Sequence, residues 1–363
     1  MIELNKIYNE NCLTGLKKIP DNYIDCCVTS PPYFGLRDYG TDEQVGLEET
    51  PELFVSKLVE VFAEVKRVLK SNGTLWLNLG DTYAAYYGDK YGKAQSFSDS
   101  RENVGNAPPS KKSFDFKNSI FKPKDLLGIP WMAAFALRSN GWYLRQDIIW
   151  HKPNPMPESV TDRCTKSDEY IFLMSKSPKY YYDQDAIRTT VKDSTVQRMM
   201  QQIEEQKGSE RVPGKTNGTM KAVGPGRKPA PQDNRGGNQG STTGIKAYSH
   251  RGTGDKKLTG HSGNFDSDGN LIGDGMANKK SVWTVTTKPF SDAHFATFPQ
   301  DLIVDCIKAG CPEGGIVLDP FMGAGTTALV ARKLNRNYIG FELNNKYIII
   351  SEKRIYNELG IFK

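Results

Sequence analysis

The segment from Gly315 to Glu342 constrains the fold more than any other part of this 363-residue chain. A short apolar run, Gly315 to Asp319, breaks at Pro320-Phe321-Met322-Gly323-Ala324-Gly325, and the spacing then predicts a helix over Thr326 to Leu334. A second run, Asn337 to Glu342, reads as a strand that ends on an acid. Paired glycines let a backbone turn sharply between strand and helix and let a ligand approach the main chain. Doubly wound α/β sheets hold a nucleoside with this order of parts, the closing carboxylate accepting hydrogen bonds from ribose hydroxyls. Ala328 stands where GxGxxG has its third glycine, a tolerated substitute, so spacing leaves a dinucleotide open. A glycine turn serving only helix packing is the plainer alternative.

The rest of the chain extends the same pattern. Tyr23 to Thr29 reads as a buried strand that stops at Ser30-Pro31-Pro32. Apolar residues Leu53, Leu58, Phe62, Val65 and Leu69 recur at helical spacing, with Pro51 in the first turn and Gly73 just past the end. Thr74 to Leu79 and Tyr143 to Trp150 are expected as strands, and Ile129 to Arg138, Gln300 to Lys308 and Lys346 to Leu359 as helices. Alternation of this kind predicts an α/β fold, a Rossmann-like sheet with helices on both faces.

Composition changes after Ile187. Through Lys280 the chain is rich in Gly, Asn, Ser and Lys and poor in large apolar residues, with Lys207, Arg211, Lys215, Arg227, Lys228 and Arg235 spread along it. We therefore divide the chain into an N-terminal part of a catalytic domain (1–186), an insertion (187–280) and a C-terminal part (281–363). Such an insertion is either a solvated, disordered segment or a surface that neutralises phosphates and reads base edges. A net charge of +6 suits a polyanionic partner without requiring one. The six cysteines show no paired CxxC spacing, so no structural zinc is expected, and they read as reduced thiols of a cytoplasmic protein. No apolar run approaches the length of a membrane span.

Thr29-Ser30-Pro31-Pro32-Tyr33 carries the chemical reading. Consecutive prolines stiffen the loop and remove its donors, leaving carbonyl acceptors. The exocyclic amine of cytosine or adenine is a poor nucleophile because its lone pair is delocalised into the ring. Acceptors at the Ser30 side chain and the Pro31 carbonyl would draw the nitrogen toward tetrahedral geometry and aim the lone pair at a methyl donor. Tyr33 would stack on a base extruded from the duplex. Methylation at cytosine C5 needs a thiolate, usually in a Pro-Cys dipeptide, and the chain contains none. A Pro-Pro turn with an incidental tyrosine is the alternative when the loop is taken alone.

Taken with the glycine loop, these residues resemble the amino-group DNA methyltransferases of the beta arrangement, in which an SPPY or DPPY loop precedes the cofactor loop. Tyr33 to Gly40, Trp150 to Pro157 and Lys288 to Pro299 extend the likeness. The resemblance implies S-adenosyl-L-methionine as cofactor, double-stranded DNA as substrate, and Ser30, Pro31, Pro32 and Tyr33 as the catalytic loop. It also implies that Asp319, Phe321, Gly323 and Gly325 embrace the methionine part, beside Thr326 and Thr327, and that Glu342 holds the ribose. His294, Phe295 and Pro299 would close over the cofactor from the other side, although His294 could equally be structural. Asn11 stands near the position of a family aspartate that contacts the adenine end. Asn78, Gly80 and Asp81 would face the same crevice, touching the base or simply capping a strand. Serine before the prolines resembles the cytosine-N4 members more than the adenine-N6 members. A cognate restriction endonuclease and a homodimer are the partners that the family suggests. Methylation of RNA or of a protein amide is the alternative from another class.

Overall fold

Among the described residues eight strands form one main sheet. The structure, a computed structural model, describes residues 2–35, 44–84, 120–191, 264–265, 271–272, 276–287 and 298–360. In chain order its elements begin with β1 (Lys6–Tyr8), α1 (Cys12–Leu16), β2 (Ile24–Thr29), α2 (Pro51–Val68) and β3 (Leu69–Leu79). They continue with α3 (Ile129–Ser139), β4 (Tyr143–His151), β5 (Asp168–Ser175), β6 (Thr189–Thr190), β7 (Asn264–Phe265), β8 (Leu271–Ile272), β9 (Met276–Ala277) and β10 (Val282–Thr284). The last elements are α4 (Gln300–Gly310), β11 (Ile316–Asp319), α5 (Thr326–Lys333), β12 (Asn337–Phe341) and α6 (Asn345–Leu359).

The main sheet is ordered β1-β12-β11-β2-β3-β5-β4-β10; β1, β12, β11, β2 and β3 pair in parallel, as do β4 and β10, whereas β5 runs antiparallel to both β3 and β4. Side chains alternate across this sheet as strand geometry demands. Cys27, Leu75, Leu77, Phe172, Leu318 and Ile339 join the apolar cluster that holds α1, α2 and α3. Cys26, Val28, Trp76, Leu173, Val317 and Tyr338 join the cluster on the other face, under α4 and α5. Because the central strands β2 and β11 and the second half of β3 are buried on both faces, their sequences are mostly apolar, and each fully buried Leu or Phe contributes roughly 1.5–3 kcal/mol.

Helix α2 begins where expected: the Thr50 hydroxyl accepts from the Leu53 amide at 3.2 Å, and Pro51 occupies the first turn. Two details differ from the expectation. Leu53 is 52% exposed, and Phe54, Leu58, Val61, Phe62 and Val65 form the inward face. Leu69 and Gly73 lie within β3, because the Leu69 backbone turns extended and pairs with Ile24. A register irregularity between Ile24 and Cys26 accommodates the extra residues before Thr74.

The chain separates into one unit comprising Met1–Ile187 with Lys280–Lys363 and a second comprising Arg188–Lys279. Within the second, β6 pairs with β9 and β7 with β8, both antiparallel, and the Arg188 guanidinium donates to the Met276 carbonyl at 2.8 Å. Among the described residues no helix is long and apolar enough to cross a membrane, and no group of His, Cys, Asp and Glu could hold a metal ion.

Candidate active site

The sheet reverses its winding between β2 and β11. Helix α2, following β2, packs on one face, and α5, following β11, packs on the other. A crevice opens at such a switch point, outside the carboxyl ends of the strands. The two ends that border it are Thr29 and Asp319, the last residues of adjacent strands.

A hydrogen bond joins them. Asp319 is 1% exposed; its Oδ1 accepts from the Thr29 hydroxyl at 2.6 Å and from the Phe321 amide at 3.0 Å, and Oδ2 accepts from the Thr327 hydroxyl at 2.6 Å. Burial pushes this carboxyl up to about 6, against the lowering pull of those three donors. Asp319 thus ties the end of β2 to the glycine loop and to the start of α5, facing inward.

The glycine loop is shaped by backbone. Gly323 and Gly325 have φ of +52° and +74°, the left-handed region that glycine enters without strain. A Cβ at Gly325 would lie 2.5 Å from the Ser351 Cβ, so α6 closes that side, whereas a Cβ at Gly323 would meet only the Phe321 carbonyl at 4.0 Å. The open side at Gly323 is bordered by Glu342, whose Oε2 accepts from the Gly323 amide at 2.9 Å and whose Oε1 accepts from the Asn344 amide at 2.8 Å. Burial raises its pKa above the ordinary carboxylate value. Each oxygen keeps acceptor capacity. An open glycine surface beside an anchored carboxylate suits the ribose and methionine of S-adenosyl-L-methionine, so the residues present fit this group.

Across the crevice Ser30, Pro32 and Tyr33 are half-buried and Pro31 is buried. The Tyr33 ring lies against Gly80, where a Cβ would approach Tyr33 Cε2 to 2.6 Å. Its hydroxyl lies 2.7 Å from Glu169 Oε2 and 3.2 Å from Asn78 Oδ1, and the Ser30 hydroxyl points at it from 3.5 Å. The single phenolic proton goes to the shorter, charged acceptor. Burial, then the neighbouring Glu169 charge, hold the phenol well above its ordinary pKa, so it stays a neutral donor. Lys152 forms an ion pair with Glu169 Oε1 and sits 4.4 Å from the centre of the Trp150 ring.

Other residues singled out in the sequence have different surroundings. Asp81 accepts from the amides of Thr82 (2.9 Å), Gly128 (3.0 Å) and Ile129 (3.1 Å), capping the start of α3, and its carbonyl accepts from Lys166 Nζ at 2.7 Å. Asn78 is buried, its amide donating to Glu169 and to the Tyr170 carbonyl. The Asn11 side chain accepts from the Leu13 amide at 2.9 Å, capping α1. Thr326 and Thr327 are buried; the first hydroxyl accepts from Arg354 at 2.9 Å and the second is engaged by Asp319. Phe321 is half-buried and packs on the apolar cluster shared with α2, and buried Pro299 stands just before α4. His294, Phe295, Lys207, Arg211, Lys215, Arg227, Lys228 and Arg235 lie outside the described residues. Sequence reasoning misses Thr29, Lys152 and Glu169 as individual contributors. Lys152 belongs to the Trp150 to Pro157 segment, and an acidic start to the apolar run DEYIFLMS is the only signal for Glu169.

Comparison with known proteins agrees with this geometry. The family model described as DNA methylase, of the N6/N4 type, matches residues 24–353. The Type II methyltransferase M.Cfr9I of Citrobacter freundii is 37% identical over 359 residues, spanning 98% of this chain and 90% of that one. Among solved structures, the cytosine-N4-specific PvuII DNA methyltransferase superposes with a TM-score of 0.54 at 15% identity, over 98% of this chain and 92% of that one. The putative DNA modification methylase TTHA0409 of Thermus thermophilus, complexed with S-adenosyl-L-methionine, gives 0.52 at 17% identity, over 98% and 95%. The fold, the crevice and these likenesses converge: the chain belongs to the N6/N4 DNA methylase family and is an S-adenosyl-L-methionine-dependent, site-specific DNA methyltransferase.

Proposed function

We propose that the chain methylates cytosine at N4, using Ser30 to Tyr33 as its catalytic loop. The observation that carries the loop assignment is the Thr29 to Asp319 hydrogen bond of 2.6 Å, which ties the residue before Ser30 to the residue that opens the glycine loop. Bound S-adenosyl-L-methionine supplies an electrophilic methyl group on a sulfonium. The chain's own part is orientation: the Ser30 hydroxyl oxygen and the Pro31 carbonyl accept the amine hydrogens, and Tyr33 stacks on the flipped base. Glu342 holds the ribose hydroxyls, and Gly323 gives the methionine part close access to backbone. Preference for cytosine rests on Ser30 before the two prolines, as in the cytosine-N4 members that the loop resembles.

Residues Arg188–Lys279 we assign to target recognition, on their basic and polar composition. The setting we propose is bacterial or phage cytoplasm, with a cognate restriction endonuclease and a homodimer as partners.

Incubation with tritiated-methyl S-adenosyl-L-methionine and unmethylated genomic DNA, followed by nucleoside digestion and mass spectrometry, tests the base assignment. N4-methylcytosine supports it. N6-methyladenine reverses it and leaves the loop mechanism standing.

A further inference from the structure

Beneath the Ser30 to Tyr33 loop lies a chain of polar groups that the transfer chemistry does not itself require. It begins at Lys152 on β4's carboxyl side, passes through Glu169 at the start of β5, reaches the Tyr33 hydroxyl and ends at the Ser30 hydroxyl. Its existence depends on β5, which runs against its two neighbours in the main sheet. Because β5 is antiparallel to β3 and β4, its first residues lie level with their last, and Glu169 pairs in register with Trp150. A parallel strand would bring its far end to the crevice instead.

The charges in this chain are little exposed: 19% for the Lys152 side chain and 13% for that of Glu169. A carboxylate held from water this way needs a counter-charge and donors to remain ionised. Lys152 supplies the charge, and Tyr33 and the Asn78 amide supply donors to Oε2 at 2.7 and 3.2 Å. An ionised carboxylate can only accept. The 2.7 Å contact points the phenolic proton at Glu169, which leaves the Tyr33 oxygen as an acceptor facing the Ser30 hydroxyl, 3.5 Å away. A Ser30 proton turned toward that acceptor would leave the hydroxyl's lone pairs to the crevice.

We propose that Glu169, paired with Lys152, is a positioning residue that sets the hydrogen-bond polarity of the catalytic loop, so that Ser30 meets the substrate amine as an acceptor. This rests on the reading of Ser30 and Tyr33 given above and deepens it. Glu169 acts through Tyr33 and does not touch the base.

The test is a double-mutant cycle of Glu169→Gln and Tyr33→Phe, with kcat, the DNA KM, cofactor affinity and Tm measured on the full-length enzyme. Glutamine is isosteric but its amide donates, so the relay loses its direction, and phenylalanine keeps the ring while deleting the relay. Each single variant should lower kcat by about tenfold or more with cofactor affinity close to wild type; Tyr33→Phe should also keep its Tm, whereas Glu169→Gln leaves Lys152 without its partner and should lower it. In the double variant the losses should not multiply, because both remove the same relay. A Glu169→Gln enzyme with wild-type kcat, fully multiplicative losses, or a cofactor affinity falling in step with kcat would overturn the proposal. Should Glu169→Gln fail to fold, the cycle of Tyr33→Phe with Ser30→Ala replaces it; here too, multiplicative losses reject the relay. Failure of the underlying reading looks different: full activity in the Ser30-Pro31-Pro32-Tyr33 alanine variant removes the catalytic loop itself. An inactive alanine variant beside a silent Glu169→Gln removes only the relay.

Discussion

The two loops that border the crevice are stabilised in opposite ways. The glycine loop is held within its own strand-helix-strand-helix unit: the Gly325 amide donates to the Met322 carbonyl at 3.0 Å, Phe321 and Thr327 both reach Asp319, and Glu342 accepts from the Gly323 amide. The Ser30 to Tyr33 loop is held by side chains from remote strands, Asn78 and Glu169 lying 45 and 136 positions from Tyr33. Their direct link is buried, from Thr29 to Asp319. A cofactor used by many enzymes can be met by backbone geometry, whereas an amine that must be polarised needs oriented side chains. Changes on the two sides should therefore separate binding from chemistry.

The largest separation is expected from replacing Ser30-Pro31-Pro32-Tyr33 by alanines, which should reduce transfer to background while equilibrium dialysis shows cofactor binding near wild type. Substantial transfer by that variant would remove the loop from the mechanism. On the other side, Glu342→Ala should weaken cofactor binding by about ten- to a hundredfold, with kcat largely recovered at saturating cofactor. A fall in kcat with unchanged affinity would contradict the assignment of Glu342 to the ribose.

The link itself titrates. Burial raises Asp319 to about 6, so between about pH 4 and 6 the folded protein holds a proton that the unfolded chain, with its carboxyl near the ordinary 3.8, has released. The stability from this proton is complete below about pH 4 and lost as pH rises through about 6. Relative to Asp319→Asn, the wild type should lose about 2 kcal/mol of unfolding free energy between about pH 4.5 and 7.5. Denaturant midpoints that move in parallel for both proteins would show that Asp319 is ionised throughout. The smallest effect concerns the basic insertion. Deleting Lys207 to Lys257 should flatten the salt dependence of DNA binding by about one logarithmic unit for each phosphate that the deleted cations neutralise. An unchanged slope would make that stretch a linker.

Legibility in the sequence follows the same contrast. The strands flanking the glycine loop, the acid at its end and the Pro-Pro loop are visible because local chemistry dictates them: glycines where φ must be positive, prolines where a loop must be stiff, apolar runs where strands are covered on both faces. Strand β5 escapes notice although DEYIFLMS is apolar enough, and three-residue β1 and β10 are too short to carry periodicity. Helical spacing places Leu69 on a helix face, yet it belongs to a strand, since pairing with Ile24 outweighs a single helical turn. The sequence leaves Asp81 between touching a base and capping a strand, and the resemblance sets Asn11 near the adenine end of the cofactor; in the structure both side chains cap helices, satisfying amides that no intrahelical partner reaches.

By itself the sequence determined the fold class, the order of the two loops and the chemistry each is suited to, because these depend on residue type and spacing along a few turns of chain. Only the tertiary structure decided that Asp319 faces inward to Thr29, and that an antiparallel strand brings Glu169 and Lys152 beneath Tyr33. Hydrogen-bond direction and the ionisation of buried groups depend on which distant side chains share a low-dielectric space, and strand order and direction alone bring them together.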